Sequence, residues 1–121
     1  MLWVRKAQIE AFKREAERAK ILDLCKLLPD MYPGLALALG EKGIRRWVEK
    51  GAEKAGKYGI CKFENITRFI HLMFSLVNED FDTASETAWA GTILGWNNAE
   101  EGLKLAALEK RARMEAEKAQ G

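Results

Sequence analysis

From Ala7 onward apolar residues recur at Ile9, Phe12, Ala16 and Ala19, the three- and four-residue spacing of one helical face. The pattern then crowds, with Ile21, Leu22, Leu24, Cys25, Leu27 and Leu28 leaving few polar positions. This predicts a long first helix to about Leu28, amphipathic in its first half and buried nearly all round in its second. Pro29 is expected to end it, because the residue before a proline is pushed out of helical geometry. Pro33-Gly34 reads as a turn and Leu35 to Leu39 as a short apolar helical turn. Gly40 introduces the next helix, Glu41 to Tyr58, with Gly59 as the left-handed residue that stops it. Its inward face carries Ile44, Val48, Ala52 and Ala55, and Gly51 with Ala55 forms a small-residue edge for close helix approach.

The third helix, from Phe63 to Val77, is the most apolar. Phe63, Ile66, Phe69, Ile70, Met73, Phe74 and Val77 fill a 3-4 pattern, widened by Leu72 and Leu76, which makes it the centre of the core. Thr83-Ala84-Ser85-Glu86 has the form of a capping box opening a short helix through Trp89 and Ile93, stopped at Gly95. Asn97 or Asn98 is expected to cap a final helix in which Leu103, Leu105, Ala106 and Leu108 pack. Beyond Leu108 the chain turns to Ala, Glu, Lys and Arg, kept helical by propensity and by the pairs Glu109–Arg113, Arg111–Glu115 and Arg113–Glu117. The fold class is therefore all-α: a bundle of about five helices, with a long amphipathic first helix and a charged C-terminal one. Its 121 residues suffice for one domain with its own core, 109–121 forming a charged tail. The thin stripes of the first and last helices leave two arrangements open, pairing within one chain or a homodimer.

Composition narrows the class. Two prolines and 48% hydrophobic residues fit a folded globular chain, and no apolar run approaches the about 20 residues of a membrane span. Cys25 and Cys61 match no metal or redox spacing and read as buried free thiols of a cytoplasmic protein. The net charge of +2 conceals an asymmetry: residues 63–99 hold only Arg68 against Glu64, Glu79, Asp80, Asp82 and Glu86, whereas 40–62 are rich in Lys and Arg. A dipolar surface suits oriented docking to another protein.

Candidate chemistry is thin. His71 and Ser75 lie one turn apart, as a base and nucleophile would, but no third orienting group accompanies them, and a structural histidine is the better reading. Asn78, Asp80 and Asp82 have the first three oxygen spacings of a calcium loop, yet Thr83 replaces its glycine and Trp89 its closing glutamate. That turn reads instead as Asp82 or Thr83 capping the next helix, with Phe81 anchored in the core. Lys42, Arg45, Arg46, Lys50, Lys54, Lys57 and Lys62 trace a basic stripe that a nucleic acid would suit, but Glu49 and Glu53 interrupt it. No catalytic residue, metal ligand or cofactor is assigned. Arg46, Lys50, Lys54, the acidic Glu79 and Asp80, and Trp96 in its Gly95-Trp96-Asn97-Asn98 loop are the candidate partner-binding residues.

Tyr32-Pro33, Gly51-x-x-x-Ala55-x-x-Tyr58-Gly59-Ile60, Leu72-Met73-Phe74, Phe81-Asp82, Trp89-Ala90 and Ile93-Leu94 follow one another in an order that resembles a small helical protein family associated with bacterial type VI secretion effector gene clusters. The resemblance spans residues 7–108. Asn78-Glu79 stands where that pattern has Gly-Pro, and no proline precedes Trp89, so the loop geometry differs. The resemblance implies an accessory, adaptor or co-chaperone-like part in loading an effector, and supplies no catalytic residues. The expectation is thus a non-enzymatic protein-binding module. The alternatives are an immunity protein that neutralises a toxin, or a nucleic-acid-binding regulator using the basic helix.

Overall fold

Two prolines four residues apart act differently on the backbone. The computed structural model describes residues 18–96 and 98–120, and its first helix (α1, residues 18–31) runs through Pro29 instead of stopping at it. The break comes at Tyr32, the residue that Pro33 disfavours in helical geometry. Tyr32 N–H still donates to the Leu28 carbonyl at 2.8 Å, and Ala36 N–H to Tyr32 at 2.9 Å, so one non-helical residue separates α1 from α2. Pro33 opens α2 (Pro33–Lys57), where its missing N–H costs nothing. Within α2, Gly40 stands at φ 71°, ψ 171°, a kink that a glycine permits, dividing the helix as the sequence predicts.

The described residues fall into two compact units that divide within α2, between Val48 and Glu49. In the first, Leu24, Leu28, Ile44 and Val48 are the buried apolar residues. Leu22, Leu27 and Met31 are exposed, so the second half of α1 is not buried nearly all round as expected; Leu37 is exposed as well, and Pro33-Gly34 lies in the helix and not in a turn. The stripe at Ile9, Phe12 and Ala16, and Trp3, lie outside the described residues.

In the second unit α2 ends in a Schellman motif. Ile60 N–H bonds to the Ala55 carbonyl at 2.9 Å and Gly59 N–H to Gly56 at 3.1 Å, with Gly59 at φ +77°. Gly51 faces α3 (Phe63–Ser75) so closely that a Cβ there would lie 2.7 Å from both Ile70 Cγ1 and Met73 Sδ. Phe69, Ile70, Met73 and Phe74 are fully buried, each such side chain contributing about 1.5–3 kcal/mol. Helix α3 stops at Ser75, before Val77, which is 63% exposed and lies at φ 52°. Asn78 N–H to Met73 and Val77 N–H to Phe74 close a second Schellman motif there, so Val77 is the left-handed residue and leaves the core it was expected to fill.

The capping box does not form. Thr83 and Ala84 both donate their N–H to the Asp80 carbonyl, which puts Thr83 inside a turn, ahead of any helical cap. A single 3₁₀ turn (Ser85–Thr87) follows without a side-chain cap and leads into α4 (Ala88–Leu94). Thr87 Oγ1 instead donates to the Phe81 carbonyl at 2.6 Å. Phe81 does anchor the loop, its ring 5.0 Å from that of Phe69. Helix α5 (Glu101–Gln120) packs on α3 and α4 through Leu105, Leu108 and Ala112. Leu103 is 63% exposed and Ala106 is exposed, while Lys104 turns inward. Asn97, one of the two expected caps, lies outside the described residues. The fold class is all-α; among the described residues there is no strand, and no helix is long and apolar enough to cross a membrane.

Candidate functional site

The basic stripe and the acidic turn meet each other. Helical spacing puts Lys50 and Lys54 on one face of α2, and the loop after α3 brings Glu79, Asp80 and Asp82 to it. Lys50 Nζ lies 3.3 Å from Glu79 and 3.0 Å from Asp80. Lys54 Nζ lies 2.8 Å from both Asp80 Oδ1 and Asp82 Oδ1, and also donates to the Glu79 carbonyl at 3.0 Å. Asp82 completes its contacts by accepting from the Tyr58 hydroxyl at 2.7 Å. The Lys54 ammonium thus sits between the two aspartates of the calcium-like spacing, and Asn78 Oδ1 accepts the Asp80 N–H within the turn. Asp82 does not cap the next helix; its two oxygens accept from Lys54 of α2 and from Tyr58 just beyond it.

Electrostatics follow the geometry. Burial is the largest influence on Lys54 and pushes its ammonium pKa down, but the bonds to Asp80 and Asp82 outweigh it and the net shift is upward. The Lys54 and Lys50 ammonium groups hold Asp80 below its ordinary value. Burial, joined by the Asp82 carboxylate, pushes Tyr58 up to about 12.

A second polar network ties α5 to α3. Glu101 Oε2 accepts the Cys61 N–H at 2.8 Å, and Oε1 accepts from Lys62 N–H at 3.0 Å and Asn65 Nδ2 at 2.9 Å. Glu101 therefore caps α3, whose own N-cap, Lys62, makes no side-chain cap. These donors, the Cys61 amide foremost, hold its carboxyl below the usual range. Buried Asn65 passes the network on, its Oδ1 accepting from Arg68, whose guanidinium forks onto Glu109 with Nε at 3.2 Å. Glu109 thus pairs across helices, whereas Arg111–Glu115 forms within α5 at 2.9 Å as expected. Lys104 Nζ donates to the Leu94 carbonyl at 3.2 Å, a cation at the C-terminus of α4.

His71 is half-buried, and burial lowers its pKa below the ordinary value against a partial upward pull from Glu109; Ser75 is exposed. Cys61 is exposed, not buried as expected, and Cys25 half-buried; neither joins a disulfide among the described residues. Of the remaining candidates, Arg46 is exposed and Trp96 is 44% exposed. Trp96 lines a cleft of about 430 Å³ with Lys57, Tyr58, Gly59, Leu94, Gly95, Ala99, Glu101 and Lys104.

A larger concavity than the Trp96 cleft was not legible as such in the sequence. In the first unit Leu22, Cys25 and Pro29 of α1 and Pro33, Ala36, Leu37 and Ile44 of α2 line a groove of about 860 Å³. Lys26, Lys42 and Arg45 also line it, with Glu41 as the acid. The kink at Gly40 turns residues on both sides of it to the same groove. The available signal was the crowding of apolar residues over 21–39, more than one helix face can bury. Comparison with family models, with curated proteins and with solved structures finds no match.

Proposed function

We propose that this chain is a non-enzymatic protein-binding module, acting in the cytoplasm as an accessory or adaptor of a type VI secretion effector. The observation that carries the binding reading is the apolar groove of the first unit, where Leu37 is 87% exposed and Leu22 is also exposed. An exposed apolar groove between helices is a common form of partner-docking surface. The charged groups point the same way, because Lys50, Lys54, Glu79 and Asp80 engage one another and offer no convergent set aimed at a substrate. The secretion setting rests on the resemblance of residues 7–108. The immunity alternative differs in the identity of the partner alone. The nucleic-acid alternative is weakened, since two basic residues that it needs already bind carboxylates.

The test is site-specific photo-crosslinking in the natural host. A photoreactive residue at Leu37 should yield one discrete adduct that the same residue at exposed Thr92 does not. An effector partner whose export drops on deletion of this chain supports the adaptor role. A toxin partner neutralised on co-expression reassigns it to immunity, and no adduct at Leu37 overturns the binding reading.

A further inference from the structure

We infer that the groove of the first unit takes an amphipathic helix of a partner protein, with acidic residues flanking its apolar anchors. The inference rests on the protein-binding reading and names the chemistry of the partner. Three observations select it. The groove lining includes the apolar Leu22, Pro29, Ala36 and Leu37, and the charged groups among them are long flexible side chains, unlike the fixed polar groups that orient a small molecule. The groove walls are helical, so an extended peptide finds no sheet edge for its backbone there, whereas a helix arrives with its backbone bonds already made. The charge of the lining is mostly positive: Lys26 and Lys42 stand exposed, Arg45 lies with them, and Glu41 is the single opposing acid. Long cationic side chains of this kind lay their stems along an apolar partner and reach its flanking carboxylates with their heads. Basic flanks on the ligand would meet like charge, which gives the groove a means of rejecting them.

Synthetic peptides provide the probe. One, about 18 residues long, carries Leu and Phe at i, i+3, i+4 and i+7 spacing with glutamates beside them. Its counterpart replaces each glutamate by lysine, and fluorescence anisotropy reads both on the full chain. The acidic-flanked peptide should bind at least about tenfold more tightly, and weaken as salt is raised. Leu37→Asp should reduce its affinity by about tenfold or more, since Leu37 is an exposed anchor whose replacement leaves the core intact. Lys42→Glu should narrow or reverse the preference between the two peptides. Equal binding of both peptides to the unaltered chain overturns the inference without needing any variant. So does a dimer of the free chain, seen by light scattering, that Leu37→Asp dissolves, because a second copy would then be the occupant. A discrete crosslink at Leu37 combined with no preference for the acidic peptide rejects this partner chemistry and leaves the protein-binding reading standing.

Discussion

Lys54 Nζ meets Asp82 Oδ1 at 2.8 Å, across 28 residues of sequence, with only 4% of the Asp82 side chain open to solvent. The pair fastens the loop after α3 to helix α2. Removing one partner of so enclosed a pair leaves the other charge uncompensated, whereas the worth of the intact pair against apolar substitutes is small. Asp82→Ala should therefore cost about 3 kcal/mol, the low end for such a break, because Asp80 remains beside Lys54. Urea unfolding of Asp82→Asn, Lys54→Met and the double variant should show a coupling above about 1 kcal/mol. Additive single effects would show that the contact contributes nothing specific.

The same carboxylate gives Tyr58 a pH signature. Its folded pKa is raised from 10.0 to about 12, so the neutral phenol is the favoured form. The contribution is complete below pH 10 and declines as pH rises toward the folded value. Stability should fall over that alkaline interval, and Tyr58→Phe should flatten the fall while costing about 1 kcal/mol at neutral pH. Alkaline titration of tyrosinate absorbance checks the assignment: the late-ionising step should vanish in Tyr58→Phe, and its persistence would assign it to Tyr32.

Glu101 gives the opposite dependence at acid pH. Its carboxylate bonds hold the folded pKa below 4.5, so its contribution is present above that value and is lost as pH falls through the folded one. Glu101→Gln should cost about 1 kcal/mol at neutral pH, in the range of a lost helix cap, and make stability less sensitive to acid. Hydrogen exchange locates the effect: the Cys61 and Lys62 amides, bonded to Glu101 at 2.8 and 3.0 Å, should exchange faster in the variant. Unchanged protection at those two amides would dissociate the cap from the stability loss.

Much of this fold was legible locally, and much of the polar architecture was not. Gly40 and Gly59 could be read because a left-handed backbone position nearly requires glycine, and α3 because its apolar residues repeat over several turns. The register of α5 was available but misread: Leu105, Leu108 and Ala112 keep a 3-4 spacing that Leu103 does not. Pro29 misled because a proline weakens a helix without always ending it, and Pro33 supplied the stronger break. Thr83-to-Glu86 misled because a cap depends on where the chain enters its helix, and the Asp80 carbonyl had already turned the chain. Lys54–Asp82 and Glu101–Cys61 join segments 28 and 40 residues apart, and no local periodicity encodes such pairs. The candidate residues Lys50, Lys54, Glu79 and Asp80 were chosen for charge; their mutual pairing is a property of the folded chain alone.

Gly51 sets how near α2 comes to α3. An added Cβ would stand 2.7 Å from Ile70 Cγ1 and from Met73 Sδ, and both side chains belong to the core. Met73 is flexible, but Ile70 is branched and enclosed, so the helices must separate. Gly51→Ala should destabilise by about 1–3 kcal/mol despite the better helix propensity of alanine. A variant that also carries Ile70→Ala, which removes the contacted Cγ1, should lose less than the sum of the two single losses in thermal unfolding. Stabilisation by Gly51→Ala alone would show that propensity outweighs the close approach.

Val77 offers the reverse case, a residue whose backbone conformation opposes its side chain. At φ 52° a β-branched residue crowds its own carbonyl, and left-handed geometry costs an L-residue about 1–2 kcal/mol. Its side chain recovers little, being 63% exposed. The bonds that close the motif, Val77 N–H to Phe74 and Asn78 N–H to Met73, involve the backbone alone and survive substitution. Glycine adopts this geometry freely but has more conformational entropy to lose on folding, which offsets part of the gain. Val77→Gly should therefore raise stability by about 0.5–1 kcal/mol, and Val77→Asn by less. Val77→Ala gives the control: it removes the branching but keeps the Cβ, so it should fall between valine and glycine in urea unfolding. If alanine matched glycine, branching and not the left-handed backbone would be the source of the strain.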